Sequence, residues 1–220
     1  MIVEILADQH KAAQETITAG IEAGRNSRAV ALDLTGRIDS TGRRSGGIIG
    51  LTSQQAGYVR SMRAELANLD QNYFTRQRRD ARFDGIVRKA IASGKPPSQA
   101  DIDRITGRYS DRLLNLRGEM IARTEGLNGY RAGNMEAMRQ LVDTGKVRED
   151  QISRVWSSVL DSRTRPQHVA MEDVTVHGLS VPFTMPDGSR LMYPGDISLG
   201  APGSQTIACR CFHRIKIKYL

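Results

Sequence analysis

Aromatic residues make up only 5% of this 220-residue chain, and Trp156 is its single tryptophan. Compact all-β cores lean on aromatic and β-branched side chains, so the scarcity argues against one. With 25% charged residues, the balance predicts a helix-rich protein with much solvated surface. Cysteine is scarcer still: Cys209 and Cys211 are the two present, one residue apart. A disulfide at that spacing would be strained and would close almost no loop entropy, which excludes a secreted disulfide scaffold. No apolar run approaches the roughly 20 residues that span a bilayer, and the N-terminus lacks the basic-then-apolar order of a signal peptide. The expectation is a chain made in the cytoplasm with no membrane partner. Phosphate loops, nucleophile elbows and dinucleotide fingerprints are missing too, and Glu119 and Glu125, six apart, fall on different sides of a regular helix, unsuited to paired acid and base work.

What the chain does have is positive charge, +8 with a pI near 9.9, unevenly placed. Residues 1–59 carry six basic and six acidic side chains, whereas Arg60 to Lys95 carry nine basic against four acidic. Within that stretch Arg76, Arg78, Arg79, Arg82, Arg88 and Lys89 are the candidate DNA contacts, because phosphate neutralisation needs clustered cations and no particular base readout. A solvated helix face is the competing reading of the same run.

Periodicity predicts a first helix from Ile2 to about Val30, with Ile5, Ala12, Ile17 and Ile21 on one stripe, and then a glycine-rich loop from Gly36 to Gly50. Thr52 to Gln55 has the form of a capping box, so a second helix starts there and turns Val59, Met62, Leu66 and Leu69 inward. A third, arginine-dense helix is expected from Tyr73 to Ile91, ending before Pro96-Pro97. Ser98 then opens the clearest amphipathic helix, with Ile102, Ile105, Tyr109, Leu113, Leu116 and Met120 at three- and four-residue steps, kinking near Gly126 or Gly129 and running to about Leu141 before a left-handed stop at Gly145. Beyond Arg154 the pattern changes to a strand at Val155–Leu160, turns at Asp187-Gly188 and Pro194-Gly195, and an alternating strand from Cys211 to Tyr219. The fold class is therefore α+β: an extended helical N-terminal arm, residues 1–150, followed by a small β-rich module, residues 151–220.

Four groups of residues in that second half carry a family likeness. Ile121-Ala122 precede Arg123-Thr124-Glu125; then come Trp156, Asp161-Ser162-Arg163-Thr164-Arg165-Pro166-Gln167-His168, and Cys209-Arg210-Cys211. In this order and spacing they resemble the phage Mu F-like minor head (head-morphogenesis) proteins of tailed bacteriophages, whose C-terminal domain shows W, D-x-R-T-R-x-x-H, a glycine- and proline-rich stretch and C-R-C. The match runs from about Leu113 to Cys211. It departs at the glycine that usually follows the histidine motif, displaced here to Gly178 behind Val174-Thr175-Val176-His177, which implies a longer loop. The resemblance implies a non-enzymatic virion component, assembled in the host cytoplasm, inside the capsid at the portal vertex. Its partners would be the portal, the major capsid or scaffolding protein, and packaged double-stranded DNA. Two rivals stand beside it: a zinc-dependent nuclease or effector delivered with the DNA, since related modules occur on toxin-bearing chains, and a non-specific DNA-binding module.

The residues themselves suggest a metal. On a strand, positions two apart share a face, so Cys209, Cys211 and His213 point the same way, and His168 brought close by the fold would complete a two-cysteine, two-histidine set for tetrahedral zinc. Asp161 is a rival fourth ligand. The alternative is a pair of packed, reduced cysteines with His168 hydrogen-bonded to Asp161. Asp161 is read as pairing with one of Arg163 and Arg165 to fix the turn before His168, with phosphate or a partner carboxylate as the other use of their planar forks. Trp156 is read as a core anchor.

Overall fold

The computed structural model describes residues 2–40 and 44–218; the side chain of Ile5 and the whole of Tyr219 lie outside what is described. The fold is α+β. Two compact units divide the chain at Glu119–Met120 rather than near residue 150. No helix among the described residues is long and apolar enough to cross a membrane.

In the first unit the expected opening helix is two. Helix α1 (Ile2–Glu22) stops where Gly24 takes φ 65°, and α2 (Ser27–Thr35) begins afresh on an Asn26 cap that accepts from the Ala29 amide at 2.9 Å. On α1, Ile17 is buried and Ile21 exposed. The glycine loop that follows holds a short antiparallel hairpin, β1 (Arg37–Ile38) with β2 (Arg44–Ser45). Helix α3 (Ser53–Ala67) starts on the Thr52–Gln55 capping box, both reciprocal bonds being 3.1 Å.

The predicted third helix does not form as such. Asp70 and Asp80 each turn a carboxylate onto a backbone amide two residues ahead, at 2.8 and 3.2 Å, and the chain makes two 3₁₀ turns, Gln71–Thr75 and Ala81–Phe83. Only α4 (Asp84–Ser93) is α-helical, and Gly94 ends it at φ 64°. Helix α5 (Gln99–Asp143) opens on Ser98, which accepts from the Asp101 amide at 3.1 Å. Its Ile102, Ile105, Tyr109 and Leu113 close a core with Met62, Leu66, Tyr73 and Val87, as their spacing requires. Leu116 is half-buried and Met120 exposed.

The second unit takes the remainder of α5 and the terminal module. Strand β3 (Ile152–Ser157) begins three residues earlier than expected and stops before Val159 and Leu160, which are exposed. It is the centre of a three-stranded antiparallel sheet, order β4-β3-β7, with β4 (Thr175–His177) and β7 (Phe212–Ile217). The alternation of β7 holds: His213 is buried and Ile215 and Ile217 half-buried, while Phe212, Arg214 and Lys216 face out. Strands β5 (Phe183–Thr184) and β6 (Arg190–Leu191) pair across the Asp187-Gly188 turn. Two short helices, α6 (Pro166–Val169) and α7 (Gly203–Thr206), complete the unit.

Candidate metal centre

Residues far apart in sequence converge on Trp156, which is fully buried among Met171, Phe183, Met185, Leu191, Cys209 and Cys211. The His168 and Phe183 rings meet it edge-on, centroids 5.6 and 5.3 Å away. Its indole N–H donates to Ser158 Oγ at 3.2 Å, and that hydroxyl donates to the His168 carbonyl at 2.6 Å. Trp156 is thus the core anchor its lone occurrence suggested, and through Ser158 it fixes α6. Pro166 at the first helical position sets the entry into α6 without leaving an orphan amide.

His168, Cys209 and Cys211 form the cluster: Nδ1 of His168 is 3.3 Å from Cys211 Sγ and 3.6 Å from Cys209 Sγ, and all three ligand atoms lie within 4.8 Å of one another. None of the three is more than 2% exposed. The hydrogen bond between the two cysteines pushes the Cys211 thiol below its ordinary value and the Cys209 thiol above it, so the pair tends to share one proton. Arg131 on α5 is buried and forks its guanidinium onto the carbonyls of Cys209, at 2.9 Å, and Cys211. Burial pulls that guanidinium's pKa down while the two cysteines oppose the shift. Thr124 accepts the Ala208 amide at 2.9 Å, just ahead of Cys209.

The two fourth ligands suggested from sequence do not join the cluster. Cys209, Cys211 and His213 are all buried and alternate with the more exposed Arg210 and Phe212, but His213 lies one step farther along β7, outside the cluster. His213 instead faces the Tyr193 ring, centroids 6.2 Å apart, and among the described residues neither of its ring nitrogens has a hydrogen-bond partner. Burial first, then Arg154 and Arg131, pushes its pKa down to about 4, keeping the ring neutral near pH 7. Asp161 is gripped by both arms of Arg210, one at 2.7 Å, and that guanidinium holds its carboxyl well below the usual range. It also accepts the Arg163 amide and the Thr164 hydroxyl at 3.0 and 3.2 Å. The turn is therefore fixed by an arginine from the C-R-C motif, with Arg163 more distant at 3.6 Å, while Arg165 donates to the Ile207 carbonyl at 2.6 Å. His168 does not bond Asp161 either; its Nε2 is 2.8 Å from Gln205 Oε1, a residue that no sequence signal marks.

The six candidate DNA contacts are not aligned on one helix, and four are held by carboxylates of the same unit. Arg76 grips Glu65 with two bonds of 2.6 Å, and Arg79 grips Asp84 at 3.1 and 3.0 Å. Arg82 binds Asp80 at 2.7 Å, and Arg88 lies 3.7 Å from Asp84 and over the Phe74 ring. Arg78 and Lys89 are exposed and make no ion pair among the described residues. Comparison with known proteins finds no matching family model, no similar curated protein and no similar solved structure.

Proposed function

We propose that the chain is a minor head, or head-morphogenesis, protein of a tailed bacteriophage: a structural component of the capsid interior at the portal vertex. The carrying observation is that the four motifs of the resemblance interlock in one unit. Thr124 holds the backbone ahead of Cys209, Arg210 grips Asp161, and His168 meets Cys209 and Cys211 beneath Trp156. Residues chosen for one shared packing solution, from positions 124 to 211, are what a family signature consists of. The portal and the capsid or scaffolding protein are the proposed partners. Packaged DNA is a further one, met without sequence readout by the cations that stay exposed, Arg78, Arg82, Arg88 and Lys89.

Zinc is the proposed ion of the cluster. An imidazole nitrogen and two thiolates match its preference for nitrogen and sulfur donors, and there it would cross-link α6 to the chain entering β7. Three protein donors would leave a fourth position to be filled, and the near-complete burial of all three supports a structural over a hydrolytic role, because it closes that position to substrate.

Quantitative mass spectrometry of purified empty procapsids and DNA-filled heads through infection tests the assignment. A fixed, low copy number per particle supports it. Absence from both particles overturns it and moves the enzyme reading forward.

A further inference from the structure

We infer that Gln205, oriented by Asp187, is a positioning residue that sets the tautomer of His168 and so presents a ready nitrogen lone pair to the two cysteine sulfurs. The inference rests on the metal reading of the cluster and assigns a role to two residues outside the ligand set.

The argument starts at Asp187. Its carboxylate caps its own turn, accepting the Ser189 amide at 2.9 Å, and its other oxygen lies 2.6 Å from Gln205 Nε2. A carboxylate only accepts, so the Gln205 NH₂ must face it. The second amide hydrogen is directed at Gln167 Oε1, another acceptor. Turning the Gln205 amide over would set its oxygen against the Asp187 carboxylate, in a side chain that is only 2% exposed, whereas the Gln167 amide could turn with it. Its Oε1 is therefore the atom that meets His168 Nε2 at 2.8 Å, and it can only accept. The Nε2 position carries the proton, and Nδ1 is left with its lone pair between Cys211 Sγ at 3.3 Å and Cys209 Sγ at 3.6 Å.

Protons then balance without rearranging the imidazole. A divalent, thiophilic cation held by these residues would displace the one proton shared by the two sulfurs to solvent, while His168 would keep its Nε2 proton and offer the Nδ1 lone pair as it stands. In the metal-free protein the same lone pair accepts from a thiol. A chain of groups beyond the ligands that fixes ring orientation in this way is worth about 10- to 100-fold in metal affinity.

The test uses the full-length, reduced protein. Long-range ¹H–¹⁵N correlations of the His168 ring in metal-free protein read the tautomer directly, and competition with a chromophoric chelator reads Zn²⁺ affinity. We expect the Nε2–H form in the wild type. Asp187 is exposed on a turn, and Asp187→Asn, which lets the Gln205 amide turn over, should give mixed tautomers and about 10- to 100-fold weaker Zn²⁺ binding. Gln205→Glu combined with Asp187→Asn restores a donor facing an acceptor along the same path, and should recover both readouts. A wild-type Nδ1–H tautomer overturns the inference, as does unchanged Zn²⁺ affinity in Asp187→Asn. Wild-type protein that takes up no Zn²⁺ overturns the metal reading and the inference with it. Zn²⁺ bound equally well by wild type and variants overturns the relay alone.

Discussion

Replacing Arg76 with methionine separates the two meanings of the basic segment. The guanidinium makes a two-pronged contact with Glu65, both bonds 2.6 Å, with each side chain only 14% exposed. It also lies over the Tyr109 ring, 5.6 Å from its centroid. Removing one partner of a largely buried pair strands the other charge, which costs about 3 to 5 kcal/mol. Because this pair keeps some contact with water, the lower end applies, about 3 kcal/mol, or roughly a hundredfold in an unfolding equilibrium constant.

The readout is amide hydrogen exchange in α3 and the first 3₁₀ turn, since those amides report the unit containing the pair. Protection there should fall by about two orders of magnitude in Arg76→Met. Adding Glu65→Leu should return most of it, because a pair of apolar side chains leaves no stranded carboxylate. DNA retention, measured as a function of salt, should keep its slope in the single variant, since Arg76 is already neutralised within the fold. Protection that stays within about tenfold of wild type, together with a shallower salt slope, would refute the structural reading of Arg76 and make it a phosphate contact.

Other perturbations test neighbouring parts of the same account. Asp80 is 3% exposed and its pKa is pushed down from 3.8 to about 2, first by its hydrogen bond to Arg82. Being depressed on folding, it contributes stability that is complete above about pH 4 and lost as pH falls toward about 2. Since Arg82 is largely solvated, we expect about 1 kcal/mol, seen as a flatter acid limb of urea midpoints for Asp80→Asn. A Cβ at Gly118 would lie 2.4 Å from Thr35 Cγ2, whereas one at Gly129 meets nothing within 4 Å. Gly118→Ala should therefore lower stability, and with it Tm, by the cost of overpacking, about 1 to 3 kcal/mol, and Gly129→Ala should raise stability by the helix preference for alanine, about 0.5 to 1 kcal/mol. Arg131→Met leaves the Cys209 and Cys211 carbonyls without their guanidinium donors and should cost about 2 to 4 kcal/mol, followed by Trp156 fluorescence in urea.

Elements governed by neighbours in sequence were legible. The Thr52 capping box, the end of α4 before Pro96-Pro97, the buried stripe of α5 and the alternation of β7 each follow from contacts within a few residues or from a strict repeat. The arginine-rich stretch was misjudged because composition favours helix there, while Asp70 and Asp80 offer the backbone a closer partner. His213 was misplaced because sharing an inward face with Cys209 and Cys211 does not bring it within ligand reach; it packs against Tyr193 instead. Partners drawn from distant segments left no local trace: Arg210 meets Asp161 across 49 positions and Gln205 meets His168 across 37. All three cluster ligands, His168 and the two cysteines of C-R-C, were named from the sequence, but the Gln205 contact that holds His168 belongs to tertiary structure.

The same limit applies to charge. A net +8 describes the sequence, and its meaning for polyanions depends on where the positive groups end up. Arg131 and Arg154 are 2% and 0% exposed. Arg154 donates to the carbonyls of Gly178, at 2.9 Å, Val181 and Met192, and burial pulls its pKa down to about 10. Both arginines satisfy carbonyls of irregular chain, as a unit whose β4, β5 and β6 have only three, two and two residues demands. One guanidinium offers five donors, enough to serve several loops from a single buried point. Among the described residues neither has a carboxylate as its hydrogen-bond partner, so each adds to the formal surplus while presenting almost nothing to solvent. In the first unit the opposite arrangement holds, with arginines matched to Glu65, Asp80 and Asp84. Positive charge in this chain is first a means of holding backbone and carboxylates in place, and any DNA contact falls to the exposed remainder.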